Sequence, residues 1–150
     1  MTEVAQLVFI DASVLIAAAG SESGGSALVP DICQGSRYRA LCSQRVLMEA
    51  QVNLRNKFPE NTRARFYRLL AALSPVIAPP VSADAEAPYH DLVTRKDAHV
   101  IASAVQGNAA VLVSLDRKHM VNDAVRNAGF PFQVLTPGEF IQAVLRQSGR

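Results

Sequence analysis

Two apolar runs, "QLVFID" at 6–11 and "AVLVSLD" at 110–116, each end on an aspartate, and short β-rich runs alternate with helix-period segments between and after them. Consecutive branched and aromatic residues over so few positions mark buried strands. Strands alternating with helices along a chain predict an α/β fold with a mainly parallel sheet. The 150 residues match one typical domain, so 1–150 is taken as a single unit. With 49% apolar residues, such a chain has enough to bury roughly 70% of its unfolded surface in one core.

The remaining elements follow from periodicity and punctuation. "SVLIAAAGSES" reads as a helix ending in a Gly/Ser loop, "SALVPDICQG" as a short helix closed by Gly35, and "YRALCS" as a second strand. Ser43 is an N-cap for a helix in which Val46, Leu47, Ala50, Leu54 and Phe58 recur at helical spacing. Pro59 stops it, and a further helix restarts with Phe66, Leu69, Leu70 and Leu73 on one side. In the proline-rich "PVIAPPV", only "VIA" is free to form a short edge strand. "KDAHVIASAVQGN" predicts a helix with Asp97 at its start, "RKHMVNDAVRNAG" a helix ending at Gly129, "FQVLT" a last strand and "PGEFIQAVLRQ" a closing helix. Residues 80–93 carry no assignable pattern.

Composition excludes some classes of function. The first residues carry no basic region ahead of their short apolar run, and no apolar stretch approaches the ~20 residues of a membrane helix. The expectation is a soluble, cytoplasmic protein with no membrane partner. Cys33 and Cys42 lack metal-site spacing and are expected as reduced interior thiols. A net charge of +2 and a pI near 8.7 permit contact with nucleic acid without predicting it. Basic residues cluster at 37–39, 55–57, 63–68, 95–96 and 117–118. An ordinary solvated face is the more common explanation for each such cluster.

The aspartates carry the chemistry. In an open parallel sheet, reactive groups gather beyond the carboxyl ends of the strands, where Asp11 and Asp116 stand. Glu49 interrupts the apolar face of its helix and Asp97 opens another. Taken singly, each has a plain explanation: an Asp between strand and helix caps the helix, an Asp in a first turn complements the helix dipole, and a helical Glu faces solvent. If the four converge, their repulsion requires raised pKa values or a cation. Hard oxygen donors favour Mg²⁺ or Mn²⁺, and such an ion supports phosphodiester hydrolysis.

The same residues resemble the PIN-domain ribonucleases, a family that includes the toxins of bacterial toxin–antitoxin pairs. "VFIDASVLIAA", "SQRVLMEAQVNL", "RKDAHVIASAVQGNAAVLVSLDRKH" and "VLTPGEFIQAVL" are similar, in order and spacing, to that family's successive motifs from about Val8 to Leu145. The resemblance implies a three-layer α/β/α fold with about five parallel strands, a Mg²⁺ or Mn²⁺ site and cleavage of RNA. It places Asp11, Glu49, Asp97 and Asp116 on the family's four acids, as catalytic and metal-binding residues. Ser13 and Ser114 fall on its auxiliary hydroxyl positions, where a cap or turn role is the alternative. It also implies a homodimer and an antitoxin partner whose chain blocks the acidic groove. One departure stands out: three positions past Asp116, where many members carry another acid, this chain has His119. His119 is read as a solvent-exposed side chain, and His90 and His99 are given no catalytic role.

Within this frame Asp11, Asp97 and Asp116 bind the ion, and Glu49 completes the shell or positions the attacking water. Arg37, Arg39, Arg95, Lys96, Arg117 and Lys118 are candidates for phosphate contacts. A non-catalytic PIN-fold module that binds RNA or protein is the alternative. An aspartyl-phosphate enzyme built on Asp11 is disfavoured, because the second acid it needs two residues on is replaced by Ser13.

Overall fold

The computed structural model describes residues 4–21 and 23–148. Its centre is β1 (Gln6–Ile10), in which Val8, Phe9 and Ile10 are fully buried. A strand covered on both faces cannot alternate apolar with polar, which is why this run is continuously hydrophobic. Around it lie β2 (Tyr38–Cys42), β3 (Val76–Ile77), β4 (Val111–Val113) and β5 (Gln133–Leu135), in the order β3-β2-β1-β4-β5. All four pairings are parallel, with Ile10 opposite Val113 and Phe9 opposite Leu41. The proline-flanked "VI" is indeed an edge strand.

The strand order positions the site. From β1 the chain steps outward through β2 to β3, then returns to the other side of β1 for β4 and β5. Right-handed crossovers running in opposite directions leave the sheet on opposite faces, so a crevice opens between the carboxyl ends of β1 and β4. One face carries α1 (Ala12–Gly20), α2 (Gly25–Ile32), α3 (Gln44–Lys57) and α4 (Glu60–Leu73), with α1 packed against the other three. The other carries a single turn α5 (Ala83–Glu86), a 3-10 turn at Ala87–Tyr89, and α6 (Ala98–Gln106), which pack together. A one-turn α7 (Asp123–Arg126) precedes β5, and α8 (Pro137–Ser148) closes against α2 and β5.

Local chemistry accounts for the helix ends. The Ser43 side chain accepts the Val46 N–H at 3.2 Å, and α3 buries Val46, Ala50 and Leu54 at intervals of four. Pro59 is the N-cap of α4, and Ser74, at φ 43°, ends it in the left-handed region. One contiguous core runs through both faces, from Leu15 and Phe66 on one side to Ile101 on the other. Each such side chain contributes roughly 1.5–3 kcal/mol by burial. Cys33 and Cys42 are free thiols inside it, their pKa values pushed up to about 12 by burial.

The continuous helix expected over "RKHMVNDAVRNAG" is corrected by the structure: 117–120 form turns, and only Asp123–Arg126 is helical. Two side-chain caps begin two separate turns in place of one helix. Asp116 accepts the His119 N–H at 3.0 Å, and Asn122 accepts the Val125 N–H at 2.9 Å, starting a new turn. No single helix among the described residues is long and apolar enough to cross a membrane.

Candidate active site

Asp11 leaves β1 as the N-cap of α1, with one carboxylate oxygen accepting the Ala12 N–H at 2.8 Å. The capping explanation is therefore correct but incomplete. Its second oxygen accepts a hydrogen bond from the buried Ser114 hydroxyl, also at 2.8 Å. Ser114 Oγ in turn accepts the Asp116 N–H at 3.1 Å, while Ser13 Oγ accepts the Leu115 N–H at 3.1 Å. The Asp11 N–H donates to the Val113 carbonyl. The turns after β1 and β4 are thus laced together by two serines, and both aspartates are held at one place.

Asp97 behaves differently from a cap. It occupies the N-cap position of α6, yet its carboxylate makes no capping bond. It accepts the Thr94 hydroxyl at 2.8 Å instead. Glu49, half-buried on α3 one residue before Ala50, approaches from the opposite face of the sheet. Asp11, Ser13, Glu49, Thr94, Lys96, Asp97, Asp116 and His119 line one cavity of about 340 Å³. All four acids anticipated from sequence share its wall, together with Ser13. Ser114 lies behind the wall, joining Asp11 to Asp116.

Electrostatics follow from this geometry. Burial pushes the Asp11 carboxyl from its ordinary 3.8 up to about 6; the Ser114 and Ala12 hydrogen bonds oppose that rise, and the charges of Glu49 and Asp97 add to it. Asp97, Asp116 and His119 each offer one donor atom, and these three lie within 4.8 Å of one another. Asp11 and Glu49 belong to no such group among the described residues. Both Asp11 oxygens are already engaged, by Ala12 and Ser114.

His119 keeps the partial exposure expected of it but is tied to Asp116. Its Nδ1 lies 3.3 Å from Asp116 Oδ2, its backbone N–H binds Asp116 Oδ1, and the side chain is 40% exposed at the cavity mouth. An Asp-x-x-His spacing that folds the ring back onto the acid was the available signal. Thr94, three residues before Asp97, was missed for the same reason. His99 is buried on α6, its Nδ1 has no partner among the described residues, and burial and the Arg45 charge push its pKa down.

Among the basic candidates only Lys96 lines the cavity, while Arg95, Arg117 and Lys118 are exposed on adjoining turns. Arg37 and Arg39 are corrected. Arg39 pairs in register with Leu7, four residues before Asp11, so it sits about 13 Å back along the strand, and Arg37 is farther still. The Arg37 side chain instead contacts Gln147 and the Tyr38 ring.

Comparison with known sequences decides the family: residues 7–118 match the PIN domain. The chain belongs to the PIN-domain family. No curated protein gives a significant sequence match. Solved structures with similar folds include VapBC2 from Rickettsia felis bound to a DNA fragment from their promoter, at TM-score 0.60 and 16% identity, covering 87% of this chain and 97% of that one. PAE2754 from Pyrobaculum aerophilum has TM-score 0.59 and 17% identity, covering 99% and 94%. Mycobacterium tuberculosis VapC20, a sarcin-ricin loop cleaving toxin, has TM-score 0.53 and 20% identity, covering 82% and 95%. At these identities the likeness to the solved structures is one of fold. The five-stranded parallel sheet flanked by helices is the PIN architecture in this chain too.

Proposed function

We propose that this PIN-domain protein is a metal-dependent endoribonuclease that hydrolyses RNA phosphodiester bonds, as the toxin of a toxin–antitoxin pair. One observation supports the reading above the rest: Asp11, Glu49, Asp97 and Asp116, delivered by four separate segments, line a single cavity at the carboxyl ends of parallel strands. Capping needs explain none of that convergence, and Asp97 makes no capping bond at all. The solved structures of similar fold include a toxin that cleaves the sarcin-ricin loop, and the PIN-domain match extends over most of the chain.

The donor set fits Mg²⁺ or Mn²⁺, because hard carboxylate oxygens crowd one wall, where burial already disfavours the charge of Asp11. Asp97 and Asp116 would hold the ion, with Asp11 and Glu49 completing the negative wall. When bound, it supplies Lewis acidity toward the phosphodiester and eases deprotonation of water. The protein's own contribution is positional. Ser114 fixes the orientation of Asp11, Glu49 is placed to orient a water or accept its proton, and Lys96 offers positive charge to a phosphate at the rim. A small antitoxin whose chain fills the acidic groove, and a homodimer, complete the proposed assembly.

The test is cleavage of fluorescently labelled RNA by the purified chain with MnCl₂ or MgCl₂, alongside Asp11→Asn and Asp116→Asn. Both variants should remain folded by circular dichroism and lose about 100-fold or more of the activity. Undiminished cleavage in Asp11→Asn, or cleavage that persists in excess chelator, rejects the assignment. Metal binding without cleavage of any RNA favours the non-catalytic PIN-fold module.

A further inference from the structure

The PIN-domain match stops at residue 118, one short of a side chain that faces the acids. His119 is locked there by Asp116 itself: one carboxylate oxygen holds the His119 backbone N–H at 3.0 Å, and the other stands 3.3 Å from the ring Nδ1. The third donor of the group is Asp97, whose carboxylate accepts the Thr94 hydroxyl.

The ring-to-acid distance separates two explanations. A protonated imidazole paired with a carboxylate closes to about 2.7–2.9 Å. Two neighbouring donors on one six-coordinate ion with bonds of about 2.1 Å lie about 3 Å apart, and opposite donors about 4.2 Å apart. A separation of 3.3 Å is longer than a closed ion pair and within reach of a neutral ring hydrogen bond; it is Asp97, the third donor within 4.8 Å of the other two, that makes the trio fit co-ligands of one ion. We infer that His119 is a metal ligand, making the centre a mixed carboxylate–imidazole site that prefers first-row transition-metal dications, Mn²⁺ included, over Mg²⁺. The inference rests on the metal-site reading above.

The chemistry of the exchange gives the direction. A neutral nitrogen donor in place of a further carboxylate removes one negative charge, which weakens the attraction for a hard ion such as Mg²⁺. Imidazole nitrogen compensates only for ions with some affinity for nitrogen, a property of Mn²⁺ and later metals. The backbone bond from His119 to Asp116 needs no particular side chain at 119, so substitution there leaves the turn intact.

The experiment is isothermal titration of the chelator-stripped protein with MnCl₂ and, separately, MgCl₂, for the wild type, His119→Ala and His119→Asp. Electron spin echo measurements of the Mn²⁺ complex provide a second readout. His119→Ala should weaken Mn²⁺ by about tenfold while moving Mg²⁺ by less than twofold, and the ¹⁴N coupling of imidazole should vanish. His119→Asp should narrow the Mn²⁺-to-Mg²⁺ affinity ratio several-fold by restoring Mg²⁺ binding. If the ratio is unchanged in both variants and no ¹⁴N coupling is seen in the wild type, His119 is not a ligand and the all-carboxylate centre stands. If the wild type binds neither ion at millimolar concentration, both readings fall together.

Discussion

Ser114 Oγ and Asp11 Oδ2 are 2.8 Å apart across 103 residues of sequence, and that bond joins the ends of two neighbouring parallel strands at the cavity wall. The same oxygen also receives the Asp116 N–H, so a single hydroxyl serves both strand-end aspartates. The arrangement is sensitive because every group in it but the rim of Asp116 is buried.

Ser114→Ala removes that hydroxyl and leaves Asp11 short of a donor and Asp116 N–H short of an acceptor. A buried polar group stripped of its partner costs about 1–3 kcal/mol. The Asp11 carboxyl should also titrate above its present value of about 6, because the Ser114 bond is the largest influence holding it down. Carboxyl ¹³C NMR titration measures the second effect directly, and a midpoint unchanged or lowered would contradict it.

Asp11→Asn should stabilise the metal-free fold, and increasingly so as pH rises. Folded Asp11 titrates near 6 against 3.8 for the ordinary group, so between these values the native state holds a proton that the unfolded chain has released. Stability from this group therefore falls as pH rises from about 3.8 through about 6, and the whole penalty remains above that. An uncharged amide avoids it, for a gain on the order of 1–3 kcal/mol at pH 7.5 and little at pH 3.5. Urea unfolding in chelator at the two pH values checks the difference; equal effects at both would show that burial does not disfavour this charge.

Gly107→Ala should weaken the fold without touching the site. A Cβ there meets Leu41 Cδ2 at 2.7 Å and the Ser103 carbonyl at 3.0 Å, and Leu41 is a buried β2 side chain with little room to turn. Overpacking of this kind costs about 1–3 kcal/mol, or roughly 3–10 °C in Tm for a chain of this size. Because Gly107 closes the end of α6 opposite Asp97, Mn²⁺ affinity below the transition should stay within twofold. Thermal denaturation followed by titration tests both halves of the statement.

The strands that deliver the acids were readable because their signals are local. The buried run ending at Ile10, the cap at Ser43, the stop at Pro59 and the edge strand after Pro75 each depend on residues a few positions apart. The helix misread over 117–129 shows the limit of that locality. Its apolar spacing is helical, but the side chains of Asp116 and Asn122 each cap a separate turn, so the segment is broken in two. Hydrogen bonds of this kind depend on which rotamer the folded surroundings enforce, and spacing alone carries no record of it.

Sequence by itself determined the α/β class, the candidate acids and the strand ends on which two of them sit, since each is dictated by periodicity or by the chemistry of a few adjacent residues. Only tertiary structure decided that Glu49 and Asp97 reach the same cavity from opposite faces of the sheet, that Arg37 and Arg39 lie at its far end, and that His119 turns toward Asp116. Those outcomes depend on strand order and parallel register, which are set by how the whole core packs. The energy of that packing is spread over residues throughout the chain, so no short stretch of sequence contains it.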